Sequence, residues 1–124
     1  MGKGQKLYSK AKQLVAGGNM LLSKRPEMFL PEHWPAYFSK TSGCEVWDLD
    51  ENKYIDTLMT PGTNSLGYSH PEVDEAVKEI VGNGNMSSLN APEEVELTER
   101  LVELHPWADM ARFARSGGEA NSVA

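Results

Sequence analysis

The sequence predicts an α/β chain. Three observations carry that expectation. Apolar residues recur at helical spacing in stretches around residues 7–15, 73–81 and 97–104. Two short alternating runs flank a polar turn near residue 50. An extended run enters a further helix through Ser116-Gly117-Gly118.

The elements follow in order. Leu7, Ala11, Leu14 and Val15 make one apolar stripe between Lys3 and Val15, and Gly17-Gly18-Asn19 is a stop suited to a left-handed helix cap. Residues Met20 to Ser42 have no period, and Pro26, Pro31 and Pro35 sit among Met28, Phe29, Trp34, Tyr37 and Phe38, which predicts a packed loop. Cys44 to Leu49 alternates, Asp50-Glu51-Asn52-Lys53 supplies turn residues, and Tyr54-Ile55-Asp56 resumes, which predicts a β-hairpin. Ser69-His70-Pro71-Glu72 has the spacing of a capping box with proline in the first turn. Val73, Ala76, Val77, Ile80 and Val81 form the stripe of the helix it opens, and Gly82 closes it. A second helix is expected to start at Asn90-Ala91-Pro92-Glu93 by the same chemistry, to bury Leu97, Leu101 and Leu104, and to stop before Pro106. Met110 to Arg115 then reads as a short strand, followed by the glycine turn and a helix from Glu119 onward. That helix reaches only about two turns at Ala124 without a C-cap residue, so truncation of a longer domain is expected.

Composition excludes several classes. The net charge of −6 lacks the basic footprint of a nucleic-acid binder, so no nucleic-acid partner is expected. Lys3, Lys6, Lys10 and Lys12 read as a solvated helix face. No apolar run approaches the roughly 18 to 20 residues of a membrane helix, and no apolar segment of a secretory signal follows the N-terminus. The single Cys44 allows no internal disulfide and joins no His/Cys cluster, so no metal site is expected and a reducing, cytoplasmic compartment is the plain reading.

Strand, Ser-Gly-Gly and helix together can hold an anion. Unpaired N–H groups and the positive end of the helix dipole face whatever sits over the turn, and glycine permits close approach. Taken alone, such a tripeptide is more often a plain turn with a serine cap. Pro61 to Tyr68 offers Thr63, Asn64 and Ser65 as donors, yet a turn-rich connector explains it as well. His70 offers the residue type suited to acid/base work near neutral pH, but its place beside Ser69 and Pro71 fits a helix start better. Lys24-Arg25 reads either as a carboxylate- or phosphate-binding pair or as a solvated one.

The order of these features is more specific than any of them. Gly43-x-x-Val46-Trp47-Asp48-x-Asp50-x-x-x-Tyr54-Ile55-Asp56, then Leu66-Gly67-Tyr68-x-His70-Pro71-x-Val73, Glu93-x-x-x-Leu97-x-Glu99-x-Leu101 and Arg112-Phe113-x-x-Ser116-Gly117-x-Glu119-Ala120 resembles the N-terminal part of class III aminotransferases of fold type I. Within them it looks most like glutamate-1-semialdehyde 2,1-aminomutase-like enzymes. The resemblance runs from about Lys6 to Ala124.

The resemblance implies a division into small-domain elements over 1–60 and, over 61–124, a connector and the start of the large domain with its first strand and helix. It implies pyridoxal 5′-phosphate as cofactor, with Ser116, Gly117 and Gly118 touching its phosphate, and Glu119 near the active centre in a structural role. Many members have threonine where this chain has Gly118, so backbone amides must serve there. It implies that Arg25 (or Lys24), Thr63 and Asn64 line the substrate side. The aminomutases carry Trp-Gly-Pro where this chain has Pro61-Gly62-Thr63, which puts glutamate semialdehyde in doubt as the substrate. No catalytic residue is expected here, because the Schiff-base lysine, the aspartate on the pyridine nitrogen and the stacking aromatic of the family lie beyond the position of Ala124. The expected activity of the parent is transfer or migration of an amino group on a small carbonyl or sugar-derived substrate, in a homodimer. The alternatives are a non-catalytic packing or dimerisation fragment and a free-standing anion-binding domain.

Overall fold

The computed structural model describes residues 1–84 and 86–124. Their contacts group them into two units, Met1–Glu79 and Ile80–Ala124.

The first unit opens with α1 (Lys3–Leu14). Its buried face is Gly4 and Tyr8, one position round from the predicted stripe, while Leu7 and Leu14 stay exposed. The reason lies in the proline-rich loop: a Cβ at Gly4 would sit 3.4 Å from the Pro35 carbonyl carbon, so glycine lets that backbone lie against the helix. Gln5 Nε2 donates to the His33 and Trp34 carbonyls, and the Tyr8 hydroxyl donates to Glu27 at 2.8 Å. Gly17 and Gly18 have φ of 77° and 79°, the left-handed exit that the glycine pair predicts. The aperiodic stretch holds short 3-10 turns at Leu22–Lys24 and Pro26–Met28, a Phe29–Trp34 ring stack at 4.4 Å, and then a strand.

That strand, β1 (Phe38–Ser42), turns the predicted hairpin into a three-stranded antiparallel meander with β2 (Glu45–Asp48) and β3 (Lys53–Ile55). β1 and β2 meet through Gly43-Cys44, with Gly43 at φ 56° as the first central residue of a tight turn. The register slips between Phe38 and Lys40, and Ser39 Oγ donates to the Asp48 carbonyl at 2.8 Å across the bulge. Lys40 and Lys53 lie over the Trp47 ring, 4.9 and 6.0 Å from its centre, and Lys53 pairs with Glu45 at 2.7 Å. Tyr68 closes back on the sheet through two bonds with Gly43.

α2 (Pro71–Asn83) starts one residue later than a Ser69 cap requires. Ser69 has φ 53°, and its hydroxyl donates to the Thr41 carbonyl at 3.1 Å, so the Gly43–Tyr68 bridge and this bond override the local capping signal. α3 (Glu93–Leu104) likewise has no side-chain cap; Ala91 and Pro92 carbonyls accept its first amides, and Glu93, Glu94 and Glu96 complement its positive end. Leu97 is 49% and Leu104 58% exposed, contrary to the expected burial; broad packing between elements among the described residues occurs only within the sheet. The stripe of α2 is open too, with Val73, Val77, Ile80 and Val81 all exposed.

Residues 110–115 form no ladder among the described residues, although a strand is expected there. Strand structure requires a neighbour to take up its N–H and C=O groups, and none of the described strands lies within the second unit. α4 (Gly117–Val123) follows directly. No helix is long and apolar enough to cross a membrane, and no metal-binding cluster occurs among the described residues.

Candidate functional site

α4 begins at Gly117, two residues before the start expected at Glu119, so the two glycines form its first turn instead of a separate one. Ser116 is its cap, extended at φ −145° and ψ 159°, and its Oγ accepts from the Glu119 amide at 3.3 Å. Glu119 reaches back to accept the Arg115 amide at 2.8 Å. This is a reciprocal cap shifted by one residue, which gives Glu119 the structural role expected for it. The Gly117 and Gly118 N–H groups have no acceptor among the described residues. The space over Gly117 is open, since a Cβ there would meet nothing within 4 Å, and one at Gly118 would meet only Ser116 Oγ at 4.0 Å. Two unspent amides, a hydroxyl still able to donate and a short helix dipole fit the terminal oxygens of a phosphate ester. The open groove beside α3 does not: Glu94, Glu99, Glu103 and Asp109 line it against one cation, Arg112, and would repel an anion.

The residues expected on the substrate side lie in the first unit. Thr63 and Asn64 are neighbours in a loop with an unusual backbone: Met59 and Thr60 have φ of 48° and 49°, and Gly62 has 79°. A β-branched residue in the left-handed region is rare, so Thr60 is held there by its surroundings. Asn64 Nδ2 donates to Thr60 Oγ1 at 2.6 Å, the Thr63 amide donates to the Thr60 carbonyl, and the Gly67 amide to the Asn64 carbonyl. The Thr63 side chain is exposed. Arg25 lies beside Gly17, just past the end of α1. Its guanidinium is packed so close to Gly17 that a Cβ there would sit 2.6 Å from Nη2, and its buried Nε has no partner among the described residues. No hydrogen bond among the described residues joins Arg25 to Thr63 or Asn64, while Lys24 is exposed at the end of its 3-10 turn. His70 immediately precedes α2, its carbonyl accepting the Asp74 amide, and its buried Nδ1 has no partner among the described residues.

Two aspartates do more than the hairpin motif alone reveals. Asp48, 6% exposed, accepts from the Asp50 and Asn52 amides, the Asn52 side chain and the Tyr54 hydroxyl at 2.8, 2.9, 3.0 and 3.1 Å. Burial pushes its carboxyl up, but these bonds outweigh that and hold it below the ordinary aspartate range. Burial and the Asp48 bond raise Tyr54. Asp50 in turn accepts the Lys3 amide at 2.7 Å and supplies the carboxylate that α1 lacks in its own first turn. Asp56 accepts from the Leu58 and Met59 amides at 2.9 and 3.0 Å and from the Tyr68 hydroxyl at 2.6 Å. The Tyr68 bond, offset in part by burial, lowers the Asp56 carboxyl, while burial and Asp56 raise Tyr68. The local signal for both was present: an aspartate opening a turn, placed to accept the amide two residues on.

The family model for class-III aminotransferases matches residues 30–124. The chain belongs to that family. Among class-III relatives it is 36% identical over 118 residues to a glutamate-1-semialdehyde 2,1-aminomutase of Fusobacterium nucleatum, covering 95% of this chain and 27% of that protein. It is 35% identical over 125 residues to a 3-aminobutyryl-CoA aminotransferase of Cloacimonas acidaminovorans, covering 100% of this chain and 30% of that one. The fold resembles the FumI protein of Sphingopyxis sp. MTA144, solved in its PLP internal aldimine form, with a TM-score of 0.85 and 32% identity over 98% of this chain and 29% of that one. The chain thus spans under a third of the length of each. Within that share, the small antiparallel sheet, the helices and the α4 turn are class-III aminotransferase structure.

Proposed function

We propose that the protein carrying this chain is a pyridoxal-phosphate-dependent enzyme that transfers or moves an amino group on a small carbonyl compound. The observation that carries this reading is the start of α4, where Gly117 and Gly118 present unspent N–H groups beneath open space, within a class-III aminotransferase chain. Ser116, Gly117 and Gly118 would hold the cofactor phosphate, the two glycines by backbone amides and Ser116 by its hydroxyl. When bound, the cofactor supplies the electron sink. The residues of this chain bind and orient. The Ser116–Glu119 and Glu119–Arg115 bonds fix the direction of the free amides, and the loop bearing Thr63 and Asn64 presents a hydroxyl and an amide to substrate. Arg25 contributes a cation whose Nε has no partner among the described residues, suited to a substrate carboxylate.

A narrower reading concerns the substrate. Pro61-Gly62-Thr63 stands where the aminomutases have Trp-Gly-Pro, and the aminotransferase relative is as similar as the aminomutase one. We infer that glutamate 1-semialdehyde is not the substrate. Titrating the full-length protein with pyridoxal phosphate and assaying it against glutamate semialdehyde and a panel of keto acids, keto sugars and aldehydes tests both readings. Cofactor binding with amino transfer to a panel member is expected. Failure to bind the cofactor refutes the first reading, and efficient aminolevulinate formation refutes the second.

A further inference from the structure

Asp56 and Tyr68 stand at the two ends of the strained loop. At the entry, Asp56 Oδ1 accepts the Leu58 and Met59 amides and directs the chain into the two left-handed residues Met59 and Thr60. At the exit, Gly67 has φ 93° and lies so close to Gly43 that a Cβ would be 3.3 Å from its Cα, and Tyr68 is pinned to the sheet by its two bonds with Gly43. The Tyr68 hydroxyl returns to Asp56 Oδ2 at 2.6 Å and ties exit to entry. Inside that closure the bonds among the described residues are short in range: Thr60 Oγ1 to the Met59 carbonyl, Asn64 to Thr60, and the Thr63 and Gly67 amides to carbonyls three residues back. Strained backbone of this kind persists only where its surroundings impose it.

We propose that Asp56 and Tyr68 are positioning residues: their hydrogen bond is a latch that holds residues 57–67 in the one conformation presenting Thr63 and Asn64 to substrate. This rests on the reading above that the loop faces substrate in a pyridoxal-phosphate enzyme. On this proposal Asp56 and Tyr68 act through the loop: they set the fraction of molecules in which it is competent, and apparent affinity scales with that fraction. The chemistry after binding is unaffected.

The test uses the full-length, cofactor-loaded protein and its best substrate. Tyr68→Phe removes the latch and leaves the Gly43 backbone bonds intact. KM is expected to rise roughly five- to tenfold, with kcat within about twofold and cofactor affinity unchanged. A variant that merely folded less well would lower apparent kcat at constant KM, and that outcome overturns the proposal. Hydrogen exchange supplies a readout independent of activity: the Thr63 and Gly67 amides exchange faster in Tyr68→Phe, and the β2–β3 amides do not. Unchanged exchange at Thr63 and Gly67 would overturn the latch. Thr63→Ala separates the two levels. If Thr63→Ala raises KM and Tyr68→Phe does not, the latch is wrong while the loop reading stands. If neither moves KM, the loop reading fails and the latch with it. If both raise it, the double variant is expected to rise by less than the product of the two. Should Tyr68→Phe fail to fold, Asp56→Asn keeps the Oδ1 bonds and replaces the charge-assisted bond to Tyr68 by a weaker neutral one with Nδ2 donating, so a smaller KM rise in the same direction is expected, and an unchanged KM would overturn the latch.

Discussion

Replacing Asp48 by alanine removes the acceptor around which the β2–β3 turn is built. Four donors converge on that carboxylate within 3.1 Å, two of them backbone amides. Hydrogen bonds to a charged group contribute roughly 1.5 to 3 kcal/mol each. Asn52 and Tyr54 are exposed, so their side-chain donors turn to water, and most of the loss falls on the Asp50 and Asn52 amides. Both amides belong to exposed residues, so water offsets part of their loss, and Asp48→Ala is expected to destabilise the turn by about 2 to 4 kcal/mol. Asp48→Asn, which keeps one carbonyl for those amides, is expected to cost about half as much. The effect should also spread to α1, because Asp50 leaves its place under the Lys3 amide when the turn opens. Denaturant unfolding followed by tryptophan fluorescence gives the magnitude, and hydrogen exchange at Asp50, Asn52 and Lys3 gives the location. A change below about 0.5 kcal/mol, the range of an ordinary surface substitution, would show that the turn is fixed by its backbone alone and refute this reasoning.

Other expectations follow from the same geometry. Gly67→Ala puts a Cβ 3.3 Å from Gly43 Cα at φ 93°, so a loss of about 1 to 3 kcal/mol in thermal unfolding is expected, and a neutral result would mean the loop re-forms differently. Asp48 and Asp56 both titrate below an ordinary aspartate when folded. The stability they contribute is therefore full above the unfolded aspartate pKa of about 3.9 and is lost as pH falls through their lower folded values. Asp48→Asn should flatten that acid limb, and a limb of unchanged slope would exclude Asp48 as its source. The 124 residues on their own should retain no pyridoxal phosphate after desalting, because none of the eight lysines lies in a context that captures the cofactor; one lysine found modified at full stoichiometry would contradict this.

Local chemistry made much of the fold legible. The glycine pair after α1, the alternation on either side of Asp50, the stripe after Pro71 and the serine before Gly117 each act within a few residues, and each element stands where its signal lies. What the sequence hid depends on distant partners. Phe38–Ser42 becomes a strand because β2 is there to pair with it, and the slip at Ser39 erases the alternation that would have advertised it. Ser69 has the spacing of a cap, but its hydroxyl is drawn to Thr41 by the Gly43–Tyr68 bridge. Residues 110–115 have strand composition and no neighbouring strand among the described residues. The apolar stripes of α2 and α3 reveal helices without revealing what covers them. At the site, the α4 turn was readable because its caps are local, whereas the Asp56–Tyr68 bond joins residues twelve apart and carries no pattern of its own.

Cofactor affinity of Gly117→Pro against Gly117→Ala in the full-length protein tests the central claim most directly. Gly117 is the first residue of α4, where proline is well tolerated, and Ser116 before it already has the extended backbone that proline demands. Proline thus removes the N–H and spares the helix. Alanine keeps the N–H, and its Cβ enters open space. If that amide holds the phosphate, Gly117→Pro weakens pyridoxal-phosphate binding roughly tenfold or more, about 1.4 kcal/mol, and Gly117→Ala leaves it within about twofold. Equal affinity in wild type, alanine and proline variants would contradict the assignment of the Ser116-Gly117-Gly118 turn to the cofactor.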